Sequence, residues 1–154
     1  MSAPSATATA EQPTGSPRYV DLEVGHELPE LVVRITRKDL VRYAGASGDF
    51  NTIHWSDRVA RDVGLPGVIA HGMLTMAQAA RVVTDWAGDP VSITEFSVRF
   101  AKPVLVPDDD VGAEVVFGGR VAALLDDNVV RVDLTATCAG ERVLSGARAF
   151  LRLS

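Results

Sequence analysis

Hydrophobic and polar positions divide the chain at about Pro90. Before it, apolar residues recur at helical spacing between breaks at glycine and proline; after it they tend to alternate with polar ones. Leu31–Ile35 is a short β-branched run that predicts a strand, preceded by a turn region at Gly25, His26 and Pro29. Thr36 reads as an N-cap with Asp39 three residues on, and opens a helix through Leu40, Val41, Tyr43 and Ala44 that stops between Gly45 and Gly48. Ser56 is a second cap, followed by Val59 and Val63 four apart, with Gly64 as the stop. After a turn at Leu65-Pro66-Gly67, His71-Gly72 opens the longest helix, Met73 to about Trp86. It is apolar nearly all round, with Thr75, Gln78, Arg81 and Asp85 as a narrow polar stripe, the pattern of a buried helix with one wet edge.

The second half predicts strands at Val91–Phe100, Ala113–Leu125, Val129–Cys138 and Val143–Leu153, with Gly118-Gly119 a candidate bulge or bend and Asp126-Asp127-Asn128 a hairpin turn. Val130, Val132, Leu134, Ala136 and Cys138 share one face; Arg131, Asp133, Thr135 and Thr137 share the other. Segregated helices and hairpin-linked strands predict an α+β fold, an antiparallel β-sheet wrapped around the single apolar helix. That arrangement is the hot-dog architecture.

Composition adds limits. Residues 1–17 hold almost no large apolar side chain, so a disordered tail is expected there, with one folded domain over 18–154. A net charge of −5 argues against a nucleic-acid partner, which would need clustered positive charge. Cys138 is the only cysteine, which leaves no intrachain disulfide and no cysteine metal site and fits a reducing cytoplasm. No apolar run is long enough to span a bilayer, and the first residues lack the basic and apolar regions of a signal peptide.

The candidate chemistry lies in Tyr43–Ala60, YAGASGDFNTIHWSDRVA, which places Asp49, Asn51 and His54 on one glycine-bearing loop between helices. Acidic, basic and hydrogen-bonding groups so close together suit proton transfer. Tyr43, Ser47, Gly48, Asp49, Asn51, Ile53, His54 and Ala60 together form a pattern that resembles the hydratase motif of the MaoC-like (R)-specific enoyl-thioester hydratases and dehydratases. Ala70-His71-Gly72-Met73 is a second match at the expected distance. Thr52 departs from the motif, which usually carries proline there; the change removes stiffness but no reacting group. Residues 70–76, 81–90 and 94–100 are similar, more narrowly, to the catalytic B subunits of the heterodimeric (3R)-hydroxyacyl-carrier-protein dehydratases of mycolic-acid elongation, which work beside a motif-less partner.

The resemblance implies reversible dehydration of (3R)-hydroxyacyl thioesters to trans-2-enoyl thioesters on acyl carrier protein in fatty-acid elongation, with a homodimeric enoyl-CoA hydratase as the alternative. Asp49 and His54 would share the acid–base work, Asn51 would orient the water or hold the loop, and the Gly72 N–H would receive the developing oxyanion. Which of Asp49 and His54 moves which proton is left open. No metal or other cofactor is required. A dimer is expected, homodimeric or with a related hot-dog subunit. Two alternatives stand beside this reading: a thioesterase, for which Asp85 is the only acid on the central helix, and a non-catalytic partner subunit. Plainer roles are expected elsewhere: His71 packing or capping, Tyr43 in the core, Ser47 bonding the loop, His26 on the surface, and Cys138 a small buried hydrophobe. Met73, Met76, Trp55 and Trp86 are expected as core or channel lining. Arg58, Arg61, Arg81, Arg99 and Lys102 are either a basic rim for an acidic carrier or CoA phosphate, or ordinary solvated charges.

Overall fold

The structure, a computed structural model, describes residues 16–154, so most of the tail expected over 1–17 lies outside the described residues. The elements run β1 (Glu27–Ile35), α1 (Arg37–Ser47), α2 (Asp57–Asp62), α3 (Gly72–Ala87), β2 (Ile93–Phe100), β3 (Ala113–Leu125), β4 (Val129–Cys138), β5 (Glu141–Arg142) and β6 (Leu144–Arg152). The strands form one antiparallel sheet in the order β1-β3-β4-β6-β2, with the short β5 beside β4. The sheet curls around α3, which packs against β1, β2, β3 and β4. This is the hot-dog fold expected from the segregated helices and hairpin-linked strands.

The helix boundaries follow local chemistry. Thr36 and Asp39 form a reciprocal capping box at the start of α1, and Gly48 ends it in the left-handed region. The Ser56 hydroxyl caps α2 through the Val59 N–H, and Gly88 ends α3 at φ 70°. The strand boundaries differ more from expectation. β1 begins at Glu27 and passes through Pro29 and Glu30 as an irregularity in its pairing with β3. A proline that cannot donate is tolerated there because β1 is an edge strand. β2 starts at Ile93, after a short 3-10 turn at Pro90–Ser92. The last segment is broken at Val143, whose N–H donates to Ala136 O, leaving β5 and β6 on either side.

Gly118 and Gly119 keep register with β4, where the irregularity falls between Val121 and Ala123, but they lie opposite the irregularity of β1 between Leu28 and Leu31. Gly119 also serves close approach, since a Cβ there would stand 3.1 to 3.3 Å from Leu134, Val132 and the Val82 side chain of α3. Phe117, Val115, Val121, Val130, Val132, Ala149 and Leu151 are fully buried on the inner face of the sheet. The buried face of α3 is Thr75, Ala79, Val82, Val83 and Ala87. Thr75 therefore leaves the predicted wet stripe, and the exposed edge is Met73, Ala77, Arg81 and Asp85 at four-residue spacing. Small residues at 75 and 79 let the helix sit close on the sheet.

Candidate active site

The loop between α1 and α2 is built from its own polar side chains. Ser47 Oγ donates to Tyr43 O at 2.7 Å and accepts the Asp49 N–H at 3.2 Å, the loop-bonding role expected of it. Asp49 Oδ1 accepts the Asn51 N–H at 3.2 Å, and Asn51 Oδ1 accepts the Ile53 N–H at 3.3 Å, capping a 3-10 turn over Thr52–His54. Below the loop, Arg37 makes a two-pronged contact to Asp57 at 3.0 and 3.1 Å and donates from Nε to Val106 O at 2.7 Å. Asp57 also accepts the Val68 N–H, so one ion pair ties α1, α2 and the segment before α3 together. The Arg37 hydrogen bond holds the Asp57 carboxyl below its ordinary range.

This framework delivers His54 to the interior. Its Nδ1–H donates to Ile69 O at 2.7 Å, so in neutral His54 the lone pair is on Nε2. His54 lies on the wall of a cleft of about 250 Å³, with Ile69, Gly72, Thr75, Phe100 and Lys102 among the other lining residues. Gly72 is the first residue of α3, and no side chain caps that helix. The first four N–H groups of a helix have no intrahelical partner, and the helix dipole favours negative charge beside them. The nearest neighbour of a Cβ on Gly72 would be the Phe100 ring at 3.1 Å, so Phe100 rests against the backbone of the helix start.

Asp49 and His54 are thus brought together, with Asn51 on the same loop bonding its turn; Asp49 and Asn51 are exposed while His54 is buried. Asp49, His54 and His71 each present a polar atom within 4.8 Å of the others. That spacing would suit a metal ion, but the His54 and His71 rings are stacked, with centroids 3.8 Å apart and planes 25° from parallel. A metal lies in the plane of each imidazole that binds it, so rings stacked this way cannot both point at one ion.

His71 was expected only to pack or cap. It does not cap α3: it is 1% exposed, and its Nε2–H donates to the Asp49 backbone carbonyl at 3.1 Å. Thr75 and Phe100 also enter the site without having been singled out for it, because the fold brings them from α3 and from the end of β2. Other side chains depart from expectation as well. Met73 and Trp55 are exposed, Met76 is half-buried, and Tyr43 is half-buried with its ring against His71 at 4.8 Å, whereas the half-buried Trp86 packs against the core as expected. His26 is on the surface as expected, and Cys138 is half-buried, with burial raising its thiol pKa. Of the five basic residues considered for a rim, only Lys102 lines the cleft. Arg58, Arg61 and Arg81 pair with Asp62, Asp57 and Asp85 on their own helices, and Arg99 covers Gly146.

Comparison with known proteins agrees with this geometry. The chain is 46% identical over 79 residues to 3-hydroxyacyl-thioester dehydratase X of Mycobacterium tuberculosis, covering 51% of this chain and 27% of that protein. It is 30% identical over 129 residues to the (R)-specific enoyl-CoA hydratase of Rhodospirillum rubrum, covering 83% of this chain and 86% of that one. A solved MaoC-like dehydratase superposes with a TM-score of 0.87 at 38% identity, over 100% of this chain and 49% of the other. The chain therefore spans about a quarter of the mycobacterial relative and about half of that solved structure. Residues 23–137 match the family described as MaoC like domain, and with three quarters of its length inside that match the chain belongs to the MaoC-like family.

Proposed function

We propose that this protein catalyses the reversible hydration of trans-2-enoyl thioesters to (3R)-hydroxyacyl thioesters. The observation that carries the reading is the meeting of the Asp49 carboxylate with the His54 imidazole, beside a cleft that His54 shares with the start of α3 at Gly72. Water lies between Asp49 and the free Nε2 of His54. As its oxygen bonds to C3, its O–H bond breaks and the proton passes to this pair. The electron pair of the C2–C3 double bond moves toward the thioester carbonyl, whose oxygen is held by the Gly72 N–H. The pair then returns a proton to C2 from the same face, which completes a syn addition. General acid–base catalysis of this kind contributes roughly 10² to 10⁴ in rate, and one oxyanion donor a further 10² to 10³. Asn51 holds the loop in shape through its cap on the Ile53 N–H.

The substrate carrier is acyl carrier protein or CoA, and Lys102 on the cleft wall is the cation best placed for its phosphate. The single Cys138 fits a reaction in the cytoplasm, and the acid–base steps above call for no metal or other cofactor. Dimer formation, with a second copy or a related hot-dog subunit, fits the exposed Phe50, Trp55, Met73 and Phe100 around the site and the two free sheet edges, β1 and β2. A thioesterase is disfavoured because Asp85, the acid on α3, sits at the far end of the helix, on its exposed edge and 3.8 Å from Arg81. Incubation with a trans-2-enoyl-CoA tests the proposal. Loss of the enoyl-thioester absorbance with a (3R)-hydroxyacyl product supports it. Release of free thiol without hydration would reject it in favour of hydrolysis.

A further inference from the structure

His71 is buried, and the hydratase chemistry above makes no use of it. Its surroundings are specific. On one side the ring stacks on His54 at 3.8 Å; on another it meets the Tyr43 ring at 4.8 Å; at its tip Nε2–H donates to the carbonyl of Asp49 at 3.1 Å. Its own carbonyl accepts the Thr75 N–H and hydroxyl, which fixes the backbone at the start of α3. The remaining nitrogen, Nδ1, is buried without a partner.

We propose that His71 is a positioning residue for the hydratase site: its neutral imidazole holds the backbone of Asp49 to the start of α3 and gives His54 an uncharged face to stack on. The inference rests on the proposed hydratase reading. Two features disfavour a cationic His71: a proton on Nδ1 would be buried with no acceptor, and the charged ring would stack on His54 when that ring carries a proton in turnover. Asp49 opposes them, since its backbone carbonyl accepts the Nε2–H and its carboxylate lies within 4.8 Å of a ring nitrogen. Burial is the largest influence and, with the neighbouring His54, holds the His71 pKa down against the opposing hydrogen bond and charge of Asp49. In the Nε2–H tautomer the ring does two things: it ties the exposed loop bearing Asp49 to the helix bearing Gly72, and it sets the height of His54 between them.

The test uses the full chain, with any partner subunit it requires, and two variants. His71→Gln keeps an N–H donor at the position of Nε2; His71→Phe keeps the ring and loses the donor. Enoyl-thioester hydration by His71→Phe should show kcat lowered about 10- to 100-fold, KM within about threefold of wild type, and both limbs of the pH profile at unchanged positions. His71→Gln should recover most of that loss. Loss of a limb in His71→Phe would make His71 an acid or base and overturn the proposal. Wild-type kcat in a folded His71→Phe protein would overturn it as well. A second readout is independent of turnover: side-chain ¹⁵N–¹H NMR of the wild-type protein should find His71 as the neutral Nε2–H tautomer at pH 7. A protonated or Nδ1–H ring contradicts the proposal even if no hydration is seen. The expected tautomer with no wild-type hydration would instead put the fault in the hydratase reading.

Discussion

A buried histidine with one nitrogen bonded to a carbonyl and the other without a partner favours its neutral form, and that preference reaches the stability of the molecule. Burial holds the His71 pKa below the ordinary value of 6.5. The unfolded chain takes up a proton near pH 6.5 while the folded chain does not. Stability contributed by neutral His71 is therefore complete above about pH 6.5 and declines as pH falls below it. Asp39 acts in a lower window: hydrogen bonds from Thr36 depress its pKa, so its contribution is lost only as pH falls below the ordinary carboxylate value of 3.8. Urea unfolding of wild type should give a lower midpoint at pH 5 than at pH 7.5, and His71→Gln should reduce the difference. Equal pH dependence in the two proteins would refute this. At this scale the meeting of Asp49 and His54 was legible in the sequence because both lie on one short loop. Thr75 and Phe100 were not, and His71 and Lys102 were seen only as a packing residue and a rim candidate, because their place in the site depends on how β2 and α3 lie against that loop.

At the scale of elements, the three helices were readable to within a few residues because their ends are set locally, by Thr36, Ser56, Gly48 and Gly88. Strand irregularities were not: the bulges near Pro29 and Ala122 depend on which strand lies alongside. Thr75 was misplaced for a similar reason, since which side of an almost wholly apolar helix stays wet depends on the sheet around it. Thr52, where the family motif has proline, has an account at this scale. It is the first residue of a 3-10 turn, where φ is near the proline value and the N–H has no helical partner. The preceding Asn51 has ψ 127°, which a following proline tolerates. Thr52→Pro should therefore stabilise the protein by about 0.4–1 kcal/mol through the unfolded state, with hydration activity kept. Chemical denaturation measures this; a destabilised variant would mean that the Thr52 N–H or its side chain serves the turn.

For the whole molecule, one sheet around one helix buries a sizeable core but leaves two edges unpaired and Phe50, Trp55, Met73 and Phe100 exposed beside the site. Light scattering should find the chain at twice its own mass, or paired one to one when a related hot-dog subunit is co-expressed. A fully active monomer would contradict that. The reaction itself is tested most directly on the two groups that the fold brings together. Asp49→Asn and His54→Ala are measured beside wild type for hydration of a trans-2-enoyl thioester, with circular dichroism to show that each variant is folded. The account predicts kcat lower by at least about 10² in each variant. Wild-type turnover in both folded variants would contradict it.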